Sequence, residues 1–241
     1  MVTPSANSAA LTLSHVTGLL LAGGRGSRMG GVDKGLQMLN GVPLAQHALQ
    51  RLLAQQGGPL GAVRVNANRH IARYQALADQ LLDVGSAPVL ADSLPDFAGP
   101  LAGVAAGLAQ CQTPLLLTVP CDSPRFPLDL AQRLLQGLQV SGADLAMVQT
   151  RQQVAPGQWQ SAKQPVFCLM KVSVAAGLDA FLADGGRKIG AWAAEQTVVV
   201  VLFDEADYGP AAFANANTQD DLDGLAARDV GHQQTKNTEH E

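Results

Sequence analysis

The chain has 241 residues, 47% hydrophobic and only 15% charged, with a net charge of −4. That is enough chain for one domain with a substantial aliphatic core, and its charge fraction is well below the about 25% of ordinary soluble domains. Aromatics at 4% and the lack of a basic face argue against a nucleic-acid partner, and no run reaches the ~18 apolar residues of a membrane span. Three scattered cysteines, Cys111, Cys121 and Cys168, have no metal-ligand spacing and read as buried thiols of a reducing compartment. No basic stretch precedes a long apolar segment near residue 1, so a cytoplasmic protein is expected.

In chain order, residues 1–14 are Ser/Thr/Ala-rich and are expected to form a disordered leader. "VTGLLLAGG" reads as a buried strand that stops at a glycine turn. "PLAQHALQRLLAQQ" follows as a helix, with Leu44, Ala48, Leu49, Leu52 and Leu53 at helical spacing and Pro43 at its start. "AVRVNAN" predicts a strand, "IARYQALADQLL" a helix and "PVLAD" a short strand. "AGPLAGVAAGLAQC" becomes helical after Gly99 and Pro100, "PLLLTVPCD" is an apolar strand ending at Asp122, "PLDLAQRLLQGLQ" a helix and "ADLAMVQT" a strand. Residues 150–163 read as a polar insertion or loop. Beyond it, "PVFCLM" and "TVVVVLFD" predict strands, "VAAGLDAFLADG" and "KIGAWAAEQ" helices, and "TQDDLDGLAA" a last helix capped by Thr218. Residues 229–241 are expected to be a disordered tail, leaving 15–228 as a single domain.

Apolar strands alternating with helices predict an α/β fold: a three-layer, doubly wound, mostly parallel, Rossmann-like sheet. Ligands in such sheets bind beyond the carboxyl ends of the strands, where the Gly/Arg loop, Asn66, Asp92 and Asp122 all fall.

The stretch "LLLAGGRGSRMGGVDKG" places five glycines between Gly23 and Gly31, with Arg25, Arg28 and Lys34 among or just after them. The P-loop template fails, because Lys34 precedes Gly35 rather than Ser or Thr. The dinucleotide fingerprint lacks its third glycine, which is Met29 here. The loop fits the "LAGGxxxRMG…DK" pattern of nucleotidyltransferases. Backbone N–H groups of Gly23, Gly24 and Gly31 can wrap a triphosphate where no Cβ blocks approach. Arg28 can fork onto phosphate oxygens, and Lys34 can neutralise charge growing in a transition state. A solvated surface turn is the competing reading of the same cations.

The loop combined with "VNANRH" at 65–70, "DSLPDFAGPLAG" at 92–103, "PCDSP" at 120–124 and "NANTQDDL" at 215–222 resembles the molybdenum cofactor guanylyltransferases, the MobA family. The resemblance covers most of residues 16–225. It implies transfer of GMP from GTP to the phosphate of molybdenum-molybdopterin with release of pyrophosphate. It also implies contacts with other molybdenum-cofactor biosynthesis proteins, apo-molybdoenzymes or their chaperones.

Under that resemblance Asp122, at a strand end between prolines, holds Mg²⁺ and shares catalysis with Arg28 and Lys34; a helix cap is its plainer role. The backbone of Leu21, Ala22 and Gly23 would contact base or ribose, and Asn66 and Asp92 would surround the guanine nucleotide. Strand-end and turn caps compete for that last pair. Gly99 and Gly103 would bring a helix N-terminus close to the ligand. Asn215, Asn217 and Arg187 fall on the acceptor side; a turn and a solvated helix start are the alternatives. Lys163 stands where the family more often has histidine. Asp33 is read as orienting Lys34 or its loop, and the histidines His15, His47 and His70 as structural or exposed. A cytidylyltransferase or other NTP transferase of the same fold, and a non-catalytic nucleotide or cofactor carrier, remain the competing functions.

Overall fold

Strand β1 (Val16–Leu21) is buried along its whole length, and its side chains alternate between two cores. Leu20 joins one cluster while Leu19 and Leu21 join the other, as the two-residue period of a strand requires. A strand of this kind must be covered on both faces, which explains its near-continuous apolar sequence. The computed structural model describes residues 11–22, 32–82, 89–92 and 99–227.

A short hairpin, β2 (Met38–Leu39) and β3 (Val42–Pro43), leads into α1 (Leu44–Leu53). Strand β4 (Ala62–Asn66), α2 (Ile71–Leu81), β5 (Val89–Leu90), α3 (Pro100–Ala109), β6 (Leu115–Pro120) and α4 (Leu130–Ser141) follow. Then come β7 (Leu145–Ala155), β8 (Gln158–Lys171), α5 (Ala175–Ala183), α6 (Ile189–Ala193), β9 (Val198–Asp204) and α7 (Glu205–Tyr208). A last helix, α8, runs over 219–227.

Seven strands form one sheet in the order β5-β4-β1-β6-β8-β7-β9. Every pairing is parallel except those of β8, which runs antiparallel to both β6 and β7. The chain winds outward from β1 to β5, then returns through α3 to β6 on the other side of β1. The strand order therefore reverses between β1 and β6, and a doubly wound sheet opens its ligand crevice at that reversal.

One face of the sheet is covered by α1, α2 and α4 through Leu49, Leu52, Tyr74, Leu77, Leu130 and Leu134. The other is covered by α3, α5 and α6 through Leu101, Val104, Leu178, Leu182 and Trp192. Each fully buried leucine contributes about 1.5–3 kcal/mol relative to exposure. A third small cluster joins Leu39 and Leu44 to Ala216, Leu222 and Leu225, and so seats α8 beside the β2–β3 hairpin.

Two expectations need correction. Residues 150–163 are not a loop: they are the outer halves of β7 and β8, paired from Thr150↔Ala162 to Ala155↔Gln158 around a turn with Gly157 at φ +75°. Beyond Thr150 neither face of this extension is buried, so it lacks the apolar alternation that marks a strand in sequence. Leu13, placed in the leader, is 2% exposed and starts a single 3-10 turn packed on the first core. Residues 1–10 of the leader, the tail beyond residue 227, and the site candidates Gly23, Gly24, Arg25, Arg28 and Gly31 lie outside the described residues. Among the described residues no helix is long and apolar enough to cross a membrane.

Candidate active site

The parallel ladder continues past the strand ends at the reversal point. The Ala22 amide donates to the Asn66 carbonyl at 2.8 Å, and the Cys121 amide to the Leu21 carbonyl at 3.1 Å. These bonds hold the backbone of Leu21 and Ala22 on the carboxyl edge, between the exits of β4 and β6.

Three segments far apart in sequence meet on that edge. The Lys34 ammonium donates to Asp122 Oδ2 at 3.2 Å and to Asn217 Oδ1 at 2.5 Å. The side chains of Lys34 and Asp122 are 23% and 21% exposed, so the pair is neither sealed nor freely solvated. The Ala216 amide donates to the Asp122 carbonyl at 2.7 Å, and the buried Ser123 hydroxyl donates to Asn215 Oδ1. Residues 215–217 are thereby tied to the exit of β6.

The helix behind them is fixed by its own cap. Asp221 N–H donates to Thr218 Oγ1 at 3.1 Å, and Asp221 Oδ2 accepts from the Thr218 and Asn217 amides at 2.9 Å each. This is a reciprocal capping box. Hydrogen bonding from Thr218, then from the Asn217 amide, with the Lys34 charge adding, holds the Asp221 carboxyl below its ordinary range. Asn217 thus serves in the turn before α8 and as a partner of Lys34 at once, while Asn215 ties the same turn to Ser123.

Asp122 does not cap α4. That place is held by Asp129, whose side chain makes no capping bond and accepts instead from the Tyr208 hydroxyl at 2.7 Å. Asp33 accepts from the Tyr74 hydroxyl at 2.5 Å, with both residues buried. Burial, then the neighbouring Cys121 and Asp33, pushes the Tyr74 phenol far above its ordinary pKa. Burial, then Asp122 and Asp33, likewise keeps the Cys121 thiol protonated.

A second cluster borders the first. Asp92 Oδ1 accepts from Asn66 Nδ2 at 2.8 Å and Oδ2 from Asn68 Nδ2 at 2.7 Å, while the Asp92 amide donates to Asn68 Oδ1 at 2.8 Å. Asn66 Nδ2 also reaches the Leu90 carbonyl at 3.1 Å, so it serves both the strand end and Asp92. A carboxylate offers about four acceptor positions, so two amide donors leave Asp92 capacity for a ligand. Gly103 on α3 lies against this cluster: a Cβ there would fall 2.4 Å from Asn66 Oδ1. Gly99 has φ +85°, a conformation that glycine alone adopts without strain, and Pro100 opens α3 behind it.

Other candidates sit apart. Arg187 Nη1 donates to the carbonyls of Leu182 at 2.9 Å and Gly186 at 2.7 Å, beside the end of α5. Only its backbone approaches the site, its carbonyl lying 3.6 Å from where a Cβ on Gly99 would be. Lys163 is an exposed residue on the hairpin, paired with Gln149. Sequence reasoning missed Asn68 and Tyr74. Asn68 stands inside a quoted motif, whereas Tyr74 looks like any apolar position on the buried face of α2.

This edge combines a cation, a carboxylate and amide oxygens at the reversal point of a doubly wound sheet. The profile of the MobA-like NTP transferase domain matches residues 18–198. A molybdenum cofactor guanylyltransferase of Ralstonia nicotianae is 53% identical over 215 residues, 89% of this chain and 98% of that protein. The chain belongs to this family. It is a nucleotidyltransferase related to the molybdenum cofactor guanylyltransferases. Among solved structures, the molybdopterin-guanine dinucleotide biosynthesis protein A of Archaeoglobus fulgidus superposes with a TM-score of 0.64 at 19% identity, covering 89% of this chain and 99% of that one. The 4-diphosphocytidyl-2C-methyl-D-erythritol synthase of Anaerococcus prevotii gives 0.66 at 12% identity, covering 88% and 95%. At such identities the likeness is one of fold, that of the nucleotide-diphospho-sugar transferases.

Proposed function

We propose that this nucleotidyltransferase transfers GMP from GTP to the terminal phosphate of molybdenum-bound molybdopterin in a Mg²⁺-dependent reaction. The observation that carries the reading is the meeting of Lys34, Asp122 and Asn217 on one edge, in a chain 53% identical to a protein named for that activity. An acceptor phosphate oxygen attacks the α-phosphorus of GTP. The bond from that phosphorus to the α,β-bridging oxygen breaks, and pyrophosphate leaves. No covalent enzyme intermediate is needed, so the work of the protein is positioning and charge stabilisation.

In this reading Lys34 faces the phosphates and neutralises charge that builds up during transfer. Arg28 adds a guanidinium fork from the glycine-rich loop, where Gly23, Gly24 and Gly31 allow close approach. Leu21 and Ala22 offer backbone groups to the nucleoside, and the spare acceptor positions of Asp92 suit the N1 and N2 donors of guanine. Gly99 lets the start of α3 approach the nucleotide closely, and Gly103 makes room for the Asn66 side chain beside it. Asn215 and Asn217 face the acceptor side.

Asp122 fits a magnesium ion by donor chemistry. Its carboxylate and the Asn217 amide oxygen already converge on one cation, the Lys34 ammonium. Mg²⁺ asks for one or two protein oxygens and takes the rest from phosphate and water. When bound, it screens the phosphate charge.

The test is an assay of GTP against CTP with molybdenum-molybdopterin and Mg²⁺, following pyrophosphate release. The expected result is selective GTP turnover that Asp122→Ala lowers by at least about 10²-fold. CTP preference would make the protein a cytidylyltransferase of the same fold, and tight binding without turnover would make it a carrier.

A further inference from the structure

Tyr74 is completely buried on α2, in the core shared with α1, yet it carries a hydroxyl that a phenylalanine would not. A buried hydroxyl is costly unless it is hydrogen-bonded. This one donates to Asp33 Oδ1 at 2.5 Å. Asp33 stands at the N-cap of the 3-10 turn Lys34–Leu36 but makes no capping bond. Aspartate at such a place ordinarily accepts from the amides of its own turn. Here the carboxylate turns away, into the protein, to meet Tyr74.

The residue after Lys34 is held by the same ring. A Cβ on Gly35 would lie 2.4 Å from Tyr74 Oη and 3.2 Å from Cys121 Sγ. Gly35 is therefore pressed onto the phenol and onto the residue immediately before Asp122. The two neighbours of Lys34 are fixed by one side chain, and that side chain stands on the floor that carries Asp122. A lysine has a four-carbon flexible stem, so where its ammonium rests depends on how firmly its backbone is held.

We propose that Tyr74 is a positioning residue for the transfer reaction: by clamping Asp33 and Gly35 on either side of Lys34, it sets the Lys34 ammonium against Asp122. The proposal rests on the guanylyl-transfer reading of this site. Tyr74 touches no substrate and acts through Lys34 alone.

Tyr74→Phe keeps the ring and removes the clamp on Asp33. It is expected to lower kcat about 10-fold, since a misplacement of about 1 Å can cost up to 10²-fold, while KM for GTP stays within about twofold. In a Lys34→Ala background, measured by single turnover, the same substitution should change the rate by less than about twofold. A role confined to packing would lower the rate equally in both backgrounds, and that result would overturn the proposal.

Gly35→Ala supplies the second arm. The new methyl meets the Tyr74 hydroxyl, so the single variant should lose at least about 10-fold in kcat, and adding Tyr74→Phe should restore part of it. Strictly independent losses would count against the clamp. Crystal structures of wild type and Tyr74→Phe separate this idea from the function assigned to the site. Displacement of Lys34 Nζ away from Asp122 supports the clamp, and an unmoved Nζ overturns it, whichever substrates the enzyme uses. A wild-type enzyme that fails to guanylylate molybdopterin would overturn the functional reading and leave the crystallographic comparison to decide on Tyr74.

Discussion

The carboxyl edge around β1 and β6 and the outer hairpin of β7 and β8 are both polar, but their polar groups find partners differently. At the edge the partners are remote: Lys34 reaches Asp122 and Asn217, 88 and 183 residues away, and Ser123 reaches Asn215, 92 residues away. On the hairpin side they are mostly neighbours on adjoining strands or along one helix. Gln164 donates to Thr150 on the facing strand 14 residues away, and Arg187 bonds carbonyls one and five residues back, while Arg151 and Asp204, 53 residues apart, are the exception across the β7–β9 register. Local pairs can form wherever the element forms. Long-range ones exist only when the whole fold is assembled, so the cation, carboxylate and amide oxygens at the edge are brought together by the assembled sheet and not by any one element.

The sharpest way to break this contrast is Lys34→Ala. It removes the one group that joins the segment at 33–35 to both Asp122 and Asn217. Under the proposed function, in which Lys34 faces the reacting phosphates, its loss is expected to lower kcat for GTP about 10²–10³-fold, with a smaller change in KM. Steady-state pyrophosphate release measures it. A loss below about threefold would show that convergence on this edge is structural rather than chemical.

How much of this was legible in the sequence follows the same division. The strands that meet at the edge announce themselves by largely apolar runs ending in glycine, asparagine or aspartate, so β1, β4 and β6 and the placement of Asn66 and Asp122 at their ends could be read directly. The amphipathic helices were legible for the same reason: Leu44, Ala48, Leu49 and Leu52 are all buried on α1. What could not be read is pairing. Nothing in local pattern says that Ser123 will meet Asn215, or that Asp33 will abandon its capping position for Tyr74. The hairpin escaped because its outer residues bury neither face, and β8 departs from the parallel rule because a short turn at Gly157, with no crossover helix, can only return the chain antiparallel.

Gly103→Ala sharpens the contrast from the nucleotide side. Alanine is the better helix former by about 1 kcal/mol, so on propensity alone this change should stabilise α3. The added methyl would fall 2.4 Å from Asn66 Oδ1 and 2.9 Å from Leu21 Cδ2. Asn66 must then move, and with it the amide that holds Asp92. The expected outcome is a KM for GTP raised about 10-fold, equivalent to about 1.4 kcal/mol, with kcat within about threefold. Thermal unfolding unchanged or raised, together with weaker nucleotide binding, would separate the site effect from the helix effect. Unaltered KM would mean that the Asn66–Asp92 cluster only closes the strand end.

Arg187→Ala should give the smallest effect, and it asks whether the acceptor side reaches as far as α5. In sequence, a cation in "GGRKIGAW" reads as a phosphate ligand or as a solvated helix start. The fold commits its guanidinium to the Leu182 and Gly186 carbonyls, beside a helix end that a cation stabilises. Removing it should lower Tm by about 2–4 °C, the shift that about 1 kcal/mol produces in a chain of this size. KM for the molybdopterin acceptor should stay within about twofold, because the group that would be lost faces its own helix. A tenfold rise in that KM, with Tm unmoved, would instead place Arg187 on the acceptor. The local pairing that distinguishes the two regions would then describe only the state without substrate.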